Sequence, residues 1–272
     1  MDPEFGKAYA ELYRTHWWFR AREMVLLREI ARILRNSSSF SSCSSPTGAS
    51  VQRAQDADSS GSSSLANCHQ PRILDVGCGD ALFFDRLTKI GDVEGIESEA
   101  ALVGAYNPYR SRIHFGFLDE NFRPSAPYDL VLLLDVLEHI KEPAPVLKRA
   151  VELLAPEGNV IITVPAFQAL WTTHDDLNHH FVRYTKRSFQ QLAANARMKI
   201  DHQRYLFQWT FLPKFGAHLV EAVLKPKPSI PRTPPRIING LFAAISVGEA
   251  VLFENASVPF GGSLLVVGSA AE

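Results

Sequence analysis

The stretch 72–80 constrains the fold of this chain more than any other part of the sequence. Its branched apolar residues predict a buried strand, and the Gly-Cys-Gly run at 77–79 predicts a turn where the backbone closely approaches a bound molecule. Asp75 lies inside the strand, where a carboxylate is costly without hydrogen bonds, so we expect it to accept N–H groups of the turn. A dinucleotide site would require a third glycine at position 82, which is Leu82. The turn therefore does not favour a pyrophosphate.

Apolar and amphipathic runs alternate after this turn, which predicts an α/β fold with a doubly wound, mostly parallel sheet. Strands are expected near 72–76, 93–97, 112–117, 128–134, 158–164 and 199–205, and helices near 80–90, 99–107, 143–154 and 189–196. Ligands of such sheets bind beyond the carboxyl ends of the strands. The candidate cofactor residues at these ends are Asp75, Gly77, Cys78, Gly79, Asp80, Glu97, Leu118, Asp119 and Asp135.

The composition limits the class of protein. With 272 residues, 46% of them hydrophobic, the chain can bury the core of one α/β domain with additions. A formal net charge of -1 gives no general attraction to nucleic acid phosphates, so no nucleic acid partner is expected. Cys43, Cys68 and Cys78 lack C-x-x-C spacing, which favours a reducing cytoplasm over a disulfide framework. No signal peptide or continuous apolar span is seen, so we expect a soluble protein.

The chain divides into three segments. Residues 1–35 are expected to form an N-terminal helical lid. Residues 36–70 include thirteen serines and few large apolar side chains, which predicts a flexible insertion. Residues 71–272 form the main domain, with cap elements expected near 166–190 and 206–260.

Four motifs in chain order resemble the class I methyltransferases that use S-adenosylmethionine (SAM). They are the strand with its glycine turn, the acid Glu97 about twenty residues later, the D-x-L-E-H run 135–139, and Leu-Leu-Ala-Pro-Glu-Gly at 153–158 before a strand. In the last motif Glu157 replaces a glycine of the family pattern. The resemblance implies a Rossmann-like sheet of seven strands, whose antiparallel last strand is 263–268, with SAM as cofactor.

The resemblance also implies roles for individual residues. Glu97 would bind the ribose, because a carboxylate accepts hydrogen bonds from both hydroxyls. The loop of Leu118 and Asp119 would contact the adenine; the alternative is that Asp119 is an ordinary exposed acid beside Glu120.

Two further runs resemble a bacterial branch of these enzymes, type 11 or type 12-like. The first is H-W-W-F-x-x-R at 16–22. Its tryptophans either anchor the helix to the sheet, or cover the cofactor and acceptor, with Trp18 at the substrate and an arginine at the SAM carboxylate. We favour Arg22 for that arginine, although periodicity alone leaves Arg20 open.

The second run is H-D-x-x-N-H-H-x-x-R-Y at 174–184, just after the fifth strand. Polar and aromatic residues crowd a place where the fold opens towards substrate. We predict that four of them shape the acceptor site: His174, Asn178, His179 and Tyr184. Its histidines and acids are conceivable metal ligands, but no i, i+4 histidine pair is present on a helix, so no metal is expected.

Methyl transfer needs a base only where the acceptor must lose a proton, and neutral histidine suits that task near pH 7. His139 is the candidate base; its alternative role is to brace the turn by hydrogen bonds. A small-molecule acceptor and transfer to oxygen are favoured. Three alternatives stay open: transfer to nitrogen or carbon of a lipid- or sugar-linked acceptor, a SAM-binding protein without activity, and a nicotinamide dehydrogenase.

The apolar passage 206–224 predicts an amphipathic helix that does not span a bilayer. It is expected either to lie on a membrane surface or to line a hydrophobic acceptor pocket, and an ordinary cap helix or dimer interface is the alternative. The sequence leaves the oligomeric state open.

Overall fold

The computed structural model describes residues 3–37, 70–224, 226–227 and 231–271 of the chain. The predicted flexible insertion therefore lies almost wholly outside the described residues. Within the described ranges, none of the helices combines the length and apolar character that are needed to cross a bilayer.

The described strands form one seven-stranded sheet in the order β3-β2-β1-β4-β5-β7-β6. The first four pairings along this order are parallel. β7 runs antiparallel to both neighbours, as expected for the last strand. The strands are β1 (Arg72–Val76), β2 (Asp92–Glu97), β3 (Ile113–Phe115), β4 (Tyr128–Leu134), β5 (Leu154–Pro165), β6 (Met198–Leu206) and β7 (Ser263–Ala270).

Helices cover both faces of this sheet. They are α1 (Pro3–Thr15), α2 (Trp17–Asn36), α3 (Phe84–Leu87), α4 (Pro143–Glu152), α5 (Thr173–Leu177), α6 (Lys186–Asn195), α7 (Phe211–Leu224) and α8 (Arg236–Leu252).

Successive side chains of the central strands point to opposite faces. Leu74 and Val76 join one buried cluster, whereas Ile73, Leu130 and Leu132 join the other. Both faces are therefore covered, which explains why these strands read as continuous apolar runs rather than alternating ones.

One prediction of local structure is wrong, and one helix was not predicted individually. The helix expected near 99–107 is only a short 3-10 turn, Ala100–Leu102. Asp80 accepts the N–H of Gly104 at 2.9 Å, and the proline after Asn107 disfavours helical backbone there. The helix that was not predicted individually is α8.

The junction of α1 and α2 is fixed to α8 by one side chain. Asn239 accepts the N–H of Trp17 and donates to the carbonyl oxygen of Thr15, both at 2.8 Å. The Trp17 ring packs against Phe207 and Trp209 with centroid distances of 6.3 and 5.2 Å. The N-terminal helices are thus anchored to the segment between β6 and β7.

Candidate active site

The turn after β1 holds two glycines in left-handed backbone conformations, with φ of +70° at Gly77 and +55° at Gly79. The N–H of Gly77 donates to the carbonyl oxygen of Ile96 at 2.8 Å. A Cβ at Gly77 would lie 2.7 Å from a methyl carbon of Val136, whereas a Cβ at Gly79 would meet no atom within 4 Å. The turn is closely packed on one side and faces open space at Gly79.

Glu97 supports this turn from below. Its carboxylate accepts the N–H of Gly79 and the N–H of Glu99, both at 2.8 Å, and the residue is buried. The expectation that Asp75 braces the turn is wrong: in the described part of the chain, the turn bonds to the Ile96 carbonyl and to Glu97. Asp75 instead faces the cavity beneath α1 and α2.

Asp75 carries an unusual charge environment. Burial raises the pKa of its carboxyl to about 7, and Arg22 opposes the rise. Burial also raises the pKa of Tyr9 to about 12, with Arg22 opposing and Asp135 adding to the effect. These groups therefore share one weakly hydrated space, which is typical of functional sites.

Arg22 is the arginine of the N-terminal run that faces the sheet, because Arg20 is exposed. Its Nη2 lies 2.7 Å from Oδ2 of Asp135 and donates to Oγ1 of Thr163 at 3.2 Å. Burial opposes the charge of Arg22, but Asp135 and Tyr9 outweigh it and raise its pKa. Its buried Nε has no partner in the described residues.

Asp135 occupies a left-handed conformation with φ of +58°, which is uncommon for a residue with a side chain. Strain of this kind is often stored at functional sites. The Asp135 backbone N–H donates to the Thr163 carbonyl oxygen at 2.8 Å, which helps to hold the conformation.

A cavity separates the N-terminal helices from the glycine turn. It measures about 440 Å³, including the part that opens to solvent. Its lining comes from both sides and includes Tyr9, Tyr13, Arg22, Asp75, Gly77 and Cys78. Five of the predicted cofactor residues are therefore close together: Arg22, Asp75 and the turn 77–79.

Three other predicted cofactor residues lie further along the same sheet edge. Asp80 accepts from the Gly104 backbone and from Nδ2 of Asn107 at 2.8 Å, which ties down the loop after β2. Leu118 is buried, whereas Asp119 is exposed and accepts the N–H of Asn121 at 2.8 Å. That hydrogen bond is the main cause that lowers the pKa of Asp119.

The D-x-L-E-H run forms a short turn after β4, and the loop after β5 covers it. The rings of His139 and His180 lie edge to face with centroids 4.6 Å apart. Burial, aided by His180, lowers the pKa of His139 to about 4. Burial and the neighbouring Asp135 raise the pKa of Glu138 well above its usual value.

The loop that carries His180 is organised by a buried ion pair that the sequence did not single out. Arg183 donates to both carboxylate oxygens of Asp175, at 2.9 and 2.8 Å. His180 Nδ1 lies 2.8 Å from Oδ1 of the same aspartate. Burial alone would raise the pKa of Asp175, but the hydrogen bonds from His180 and Arg183 lower it overall. A bidentate pair of this kind fixes both position and orientation.

The predicted acceptor residues are placed at different depths. Asn178 is buried and donates to the His174 carbonyl oxygen at 2.8 Å. Tyr184 is also buried and donates to the carbonyl oxygen of Leu137 at 3.3 Å. His179 is exposed with φ of +56°. Burial lowers the pKa of His174 to about 4.

Trp18 contacts the cavity only indirectly. Its ring packs on Phe207 at 5.9 Å, and the guanidinium of Arg22 lies 5.3 Å from its centroid. Trp17 anchors α2, and Trp18 supports the arginine, so the two tryptophans have different positions. A role of Trp18 at the substrate stays a prediction.

Lys214, which sequence reasoning did not assign to the site, lies within electrostatic reach of Arg183 and Asp175. Burial lowers its pKa to about 8, with Arg183 adding to the effect and Asp175 opposing it. Its position in α7 therefore brings a cation to the same region as the Asp175 network. Only its place in an otherwise apolar helix could have drawn attention to it.

The family of the chain follows from comparison with known proteins. The profile of the methyltransferase-domain family matches residues 18–203, which is more than half of the chain. The chain belongs to this family. The matched region is a methyltransferase domain.

The chain is also similar to curated proteins and to solved structures. The chain is 29% identical over 97 residues to the ubiquinone biosynthesis O-methyltransferase of Rhodopseudomonas palustris, covering 34% of this chain and 38% of the relative. The corresponding protein of Azorhizobium caulinodans is 32% identical over 103 residues, with 34% and 39% covered. A SAM-dependent methyltransferase structure from Clostridium acetobutylicum has a TM-score of 0.45 at 10% identity, covering 74% of this chain and 84% of that one. The chain thus aligns with well under half the length of these curated relatives.

Proposed function

We propose that this enzyme transfers the methyl group of SAM to an oxygen atom of a small molecule that binds beside the turn 137–139. One observation carries the proposal: the imidazole rings of His139 and His180 pack against each other. His139 lies in the turn that follows Asp135, and Asp135 contacts Arg22 of the cofactor cavity. Neutral imidazole is suited to take a hydroxyl proton near pH 7. The names of the curated relatives are in keeping with an oxygen acceptor.

The cavity residues fit SAM. The unpartnered Nε of Arg22 is a buried donor for a carboxylate, and the open space at Gly79 leaves room for a ligand against the turn. We assign Glu97 to the ribose and the loop of Leu118 and Asp119 to the adenine. The remaining assigned cofactor residues are Asp75, Gly77, Cys78, Gly79, Asp80 and Asp135.

SAM supplies a methyl group that its sulfonium already activates, so the protein chiefly orients the acceptor and excludes water. His139 is uncharged at neutral pH, because its pKa is about 4. One of its ring nitrogens can therefore receive the hydroxyl proton as the acceptor oxygen gains the methyl group. His174, Asn178, His179, Tyr184 and Trp18 are assigned to the walls of the acceptor site.

The test is an assay of S-adenosylhomocysteine release with a panel of catechols, phenols, amines and thiols. We expect turnover with hydroxyl acceptors, and His139→Ala should lower kcat much more than SAM affinity. His114→Ala is the matched control, because that histidine is exposed on β3, away from the turn. Turnover with amines alone would contradict the oxygen assignment, and SAM binding without turnover on any acceptor would favour a non-catalytic protein.

The surface of α7 and α8 supports a hydrophobic acceptor that is taken from an anionic membrane surface. These two helices carry twelve of the eighteen exposed large apolar side chains in the described residues. Residues 222–248 contain four basic residues and no acidic residue. Exposed apolar side chains next to a basic segment match anionic lipid headgroups.

Sedimentation with vesicles tests this surface. The protein should bind phosphatidylglycerol vesicles and bind pure phosphatidylcholine vesicles much more weakly. Leu219→Asp with Val223→Asp should reduce binding at least tenfold, whereas Tyr106→Asp, at a fully exposed site elsewhere, should not. A stable dimer that the α7 substitutions dissociate, with no vesicle binding, would instead identify the surface as a subunit interface.

A further inference from the structure

A cluster of three side chains beside the acceptor region has the chemistry of a metal site. One ligand atom each from Glu138, His139 and His180 lies within 4.8 Å of the other two. The residues come from two separate elements, the turn after β4 and the loop after α5. Glu138 and His139 are adjacent in the sequence, and folding brings His180 to them.

Glu138 is incompletely bonded in this arrangement. The residue is 1% exposed, and its Oε2 atom has no hydrogen-bond partner in the described residues. A buried carboxylate oxygen without a partner is costly, because it loses hydration and gains nothing in return. A cation bound at this oxygen would supply the missing interaction.

Both histidines are held by outer partners. Nδ1 of His180 pairs with Asp175 at 2.8 Å, and Arg183 fixes that aspartate in turn. The backbone of Asn178 interacts with the His139 ring and favours its protonated form, as a carbonyl acceptor does. Metal-binding histidines usually donate their second ring N–H to a carboxylate or a carbonyl in this way, which leaves the other nitrogen for the metal.

We propose that Glu138, His139 and His180 bind a divalent transition-metal cation. Two imidazoles and one carboxylate form the ligand set of catalytic zinc sites that keep a coordination position open. Ligand atoms about 2.1 Å from a tetrahedral metal lie about 3.4 Å apart. The three side chains must therefore approach one another by no more than about 1.4 Å, which small side-chain rotations achieve.

The open position gives the site its role in turnover, and this role rests on the proposed transfer to oxygen. A hydroxyl of the acceptor that coordinates the cation becomes more acidic, as metal-bound water does. The hydroxyl proton leaves to solvent, the oxygen donates its electron pair to the methyl carbon, and the carbon–sulfur bond breaks as S-adenosylhomocysteine leaves. With metal bound, His139 acts as a ligand and the cation takes over the activation of the hydroxyl.

Metal titration of the full-length protein tests the site without an acceptor. After EDTA treatment and its removal, Zn²⁺ is titrated by calorimetry and Co²⁺ by visible absorption. We expect one equivalent of each to bind, with cobalt bands of a four- or five-coordinate site and no thiolate-to-cobalt absorption. No binding, or a thiolate band that places the metal at a cysteine, would overturn the proposal.

Matched variants locate the metal. Glu138→Gln keeps the shape of the side chain, and His180→Ala alters a partly exposed residue, so thermal melts should show that at least the second variant folds. Both should lower metal affinity at least tenfold. His114→Ala, which removes an exposed histidine near Glu94, should leave it unchanged. Wild-type affinity in the folded His180→Ala protein would contradict the site.

The activity assay separates the two proposals. Transfer to hydroxyl acceptors that falls after EDTA and returns with Zn²⁺ or Mn²⁺ supports both. Metal binding without transfer to any hydroxyl acceptor contradicts the acceptor class alone. Transfer that EDTA leaves unchanged, in protein that binds no metal, contradicts the metal site and leaves the oxygen acceptor standing.

Discussion

The proposed cofactor side and the proposed acceptor side of this protein are built differently. On the cofactor side, the glycine turn follows one strand and Glu97 ends the next, and backbone N–H groups of the turn bond to the Ile96 carbonyl oxygen and to the Glu97 carboxylate. On the acceptor side, the positions depend on side chains, above all on the buried pair of Asp175 and Arg183. Hydrogen bonds of the backbone persist when nearby side chains are substituted, whereas a network of side chains is altered by each substitution in it. The cofactor side is therefore suited to a constant ligand, and the acceptor side to a variable one.

Arg22→Ala should give the largest effect, because it removes the cation that the cofactor side shares with the N-terminal helices. Loss of one partner of a buried ion pair typically costs about 3–5 kcal/mol. We expect a fall of this size in the free energy of unfolding, measured by urea titration, and SAM binding too weak for calorimetry. Arg20→Ala is the control, since that side chain is exposed. Equal losses of stability and of SAM affinity in Arg22→Ala and Arg20→Ala would show that Arg22 is not specifically required.

The stability of the cofactor side should also depend on pH through Asp75. Its pKa is about 7 in the folded protein and close to 3.8 when unfolded, so the folded state retains the proton longer. Stability should therefore fall as pH rises from about 4 to 7, by up to about 4 kcal/mol, and then level off. Asp75→Asn should remove this slope in urea titrations at several pH values. An unchanged slope would mean that another group is responsible.

Glu97→Ala should weaken SAM binding by about 1–3 kcal/mol, because hydrogen bonds to the ribose and the support of Gly79 are lost together. Calorimetry measures the change, and the KM of the acceptor should stay near its wild-type value. Glu99→Ala offers a neighbouring control, as its side chain is exposed. A Glu97 variant that alters acceptor KM and leaves SAM affinity intact would break the division between the two sides.

Asn239→Ala should have the smallest effect, about 1–2 kcal/mol of unfolding free energy, because two hydrogen bonds between α8 and the helix junction are lost. Since this residue links the acceptor segment to the N-terminal helices, SAM affinity should fall slightly as well. Asn195→Ala, at the exposed end of α6, is the control. A loss of stability without any change in SAM affinity would show that the two sides are uncoupled.

The sequence predicted the strands and the turn of the cofactor side because their signals are local. A strand that ends in Gly-Cys-Gly and a second strand that ends in an acid need only the sheet to bring them together. The predicted hydrogen-bond acceptor was nevertheless wrong, since Glu97 and not Asp75 accepts an N–H of the turn. Asp75 and Glu97 lie in different strands, and only the structure shows which of the two carboxylates reaches the N–H group.

The acceptor side was predicted in outline only. The run 174–184 was recognised, but its division into buried and exposed residues depends on the single pair of Asp175 and Arg183. Lys214 and Asn239 were not singled out, because their partners lie far from them in the sequence; Asn239, for example, bonds to Thr15 and Trp17. The contact of His180 with Glu138 has the same origin, since about forty residues separate them in the chain.

The last strand pair has an evolutionary consequence. Leu206 at the end of β6 is the register partner of Ser263 at the start of β7, so the chain leaves the sheet and returns to it at the same point. The helices α7 and α8 both lie in the segment between these two residues. A recombination event could replace this whole segment with one of different length and still leave every strand in register. Descendants of this enzyme could thus acquire a new segment there in one genetic step, provided that it keeps the contacts with Trp17 and Thr15 that anchor the N-terminal helices.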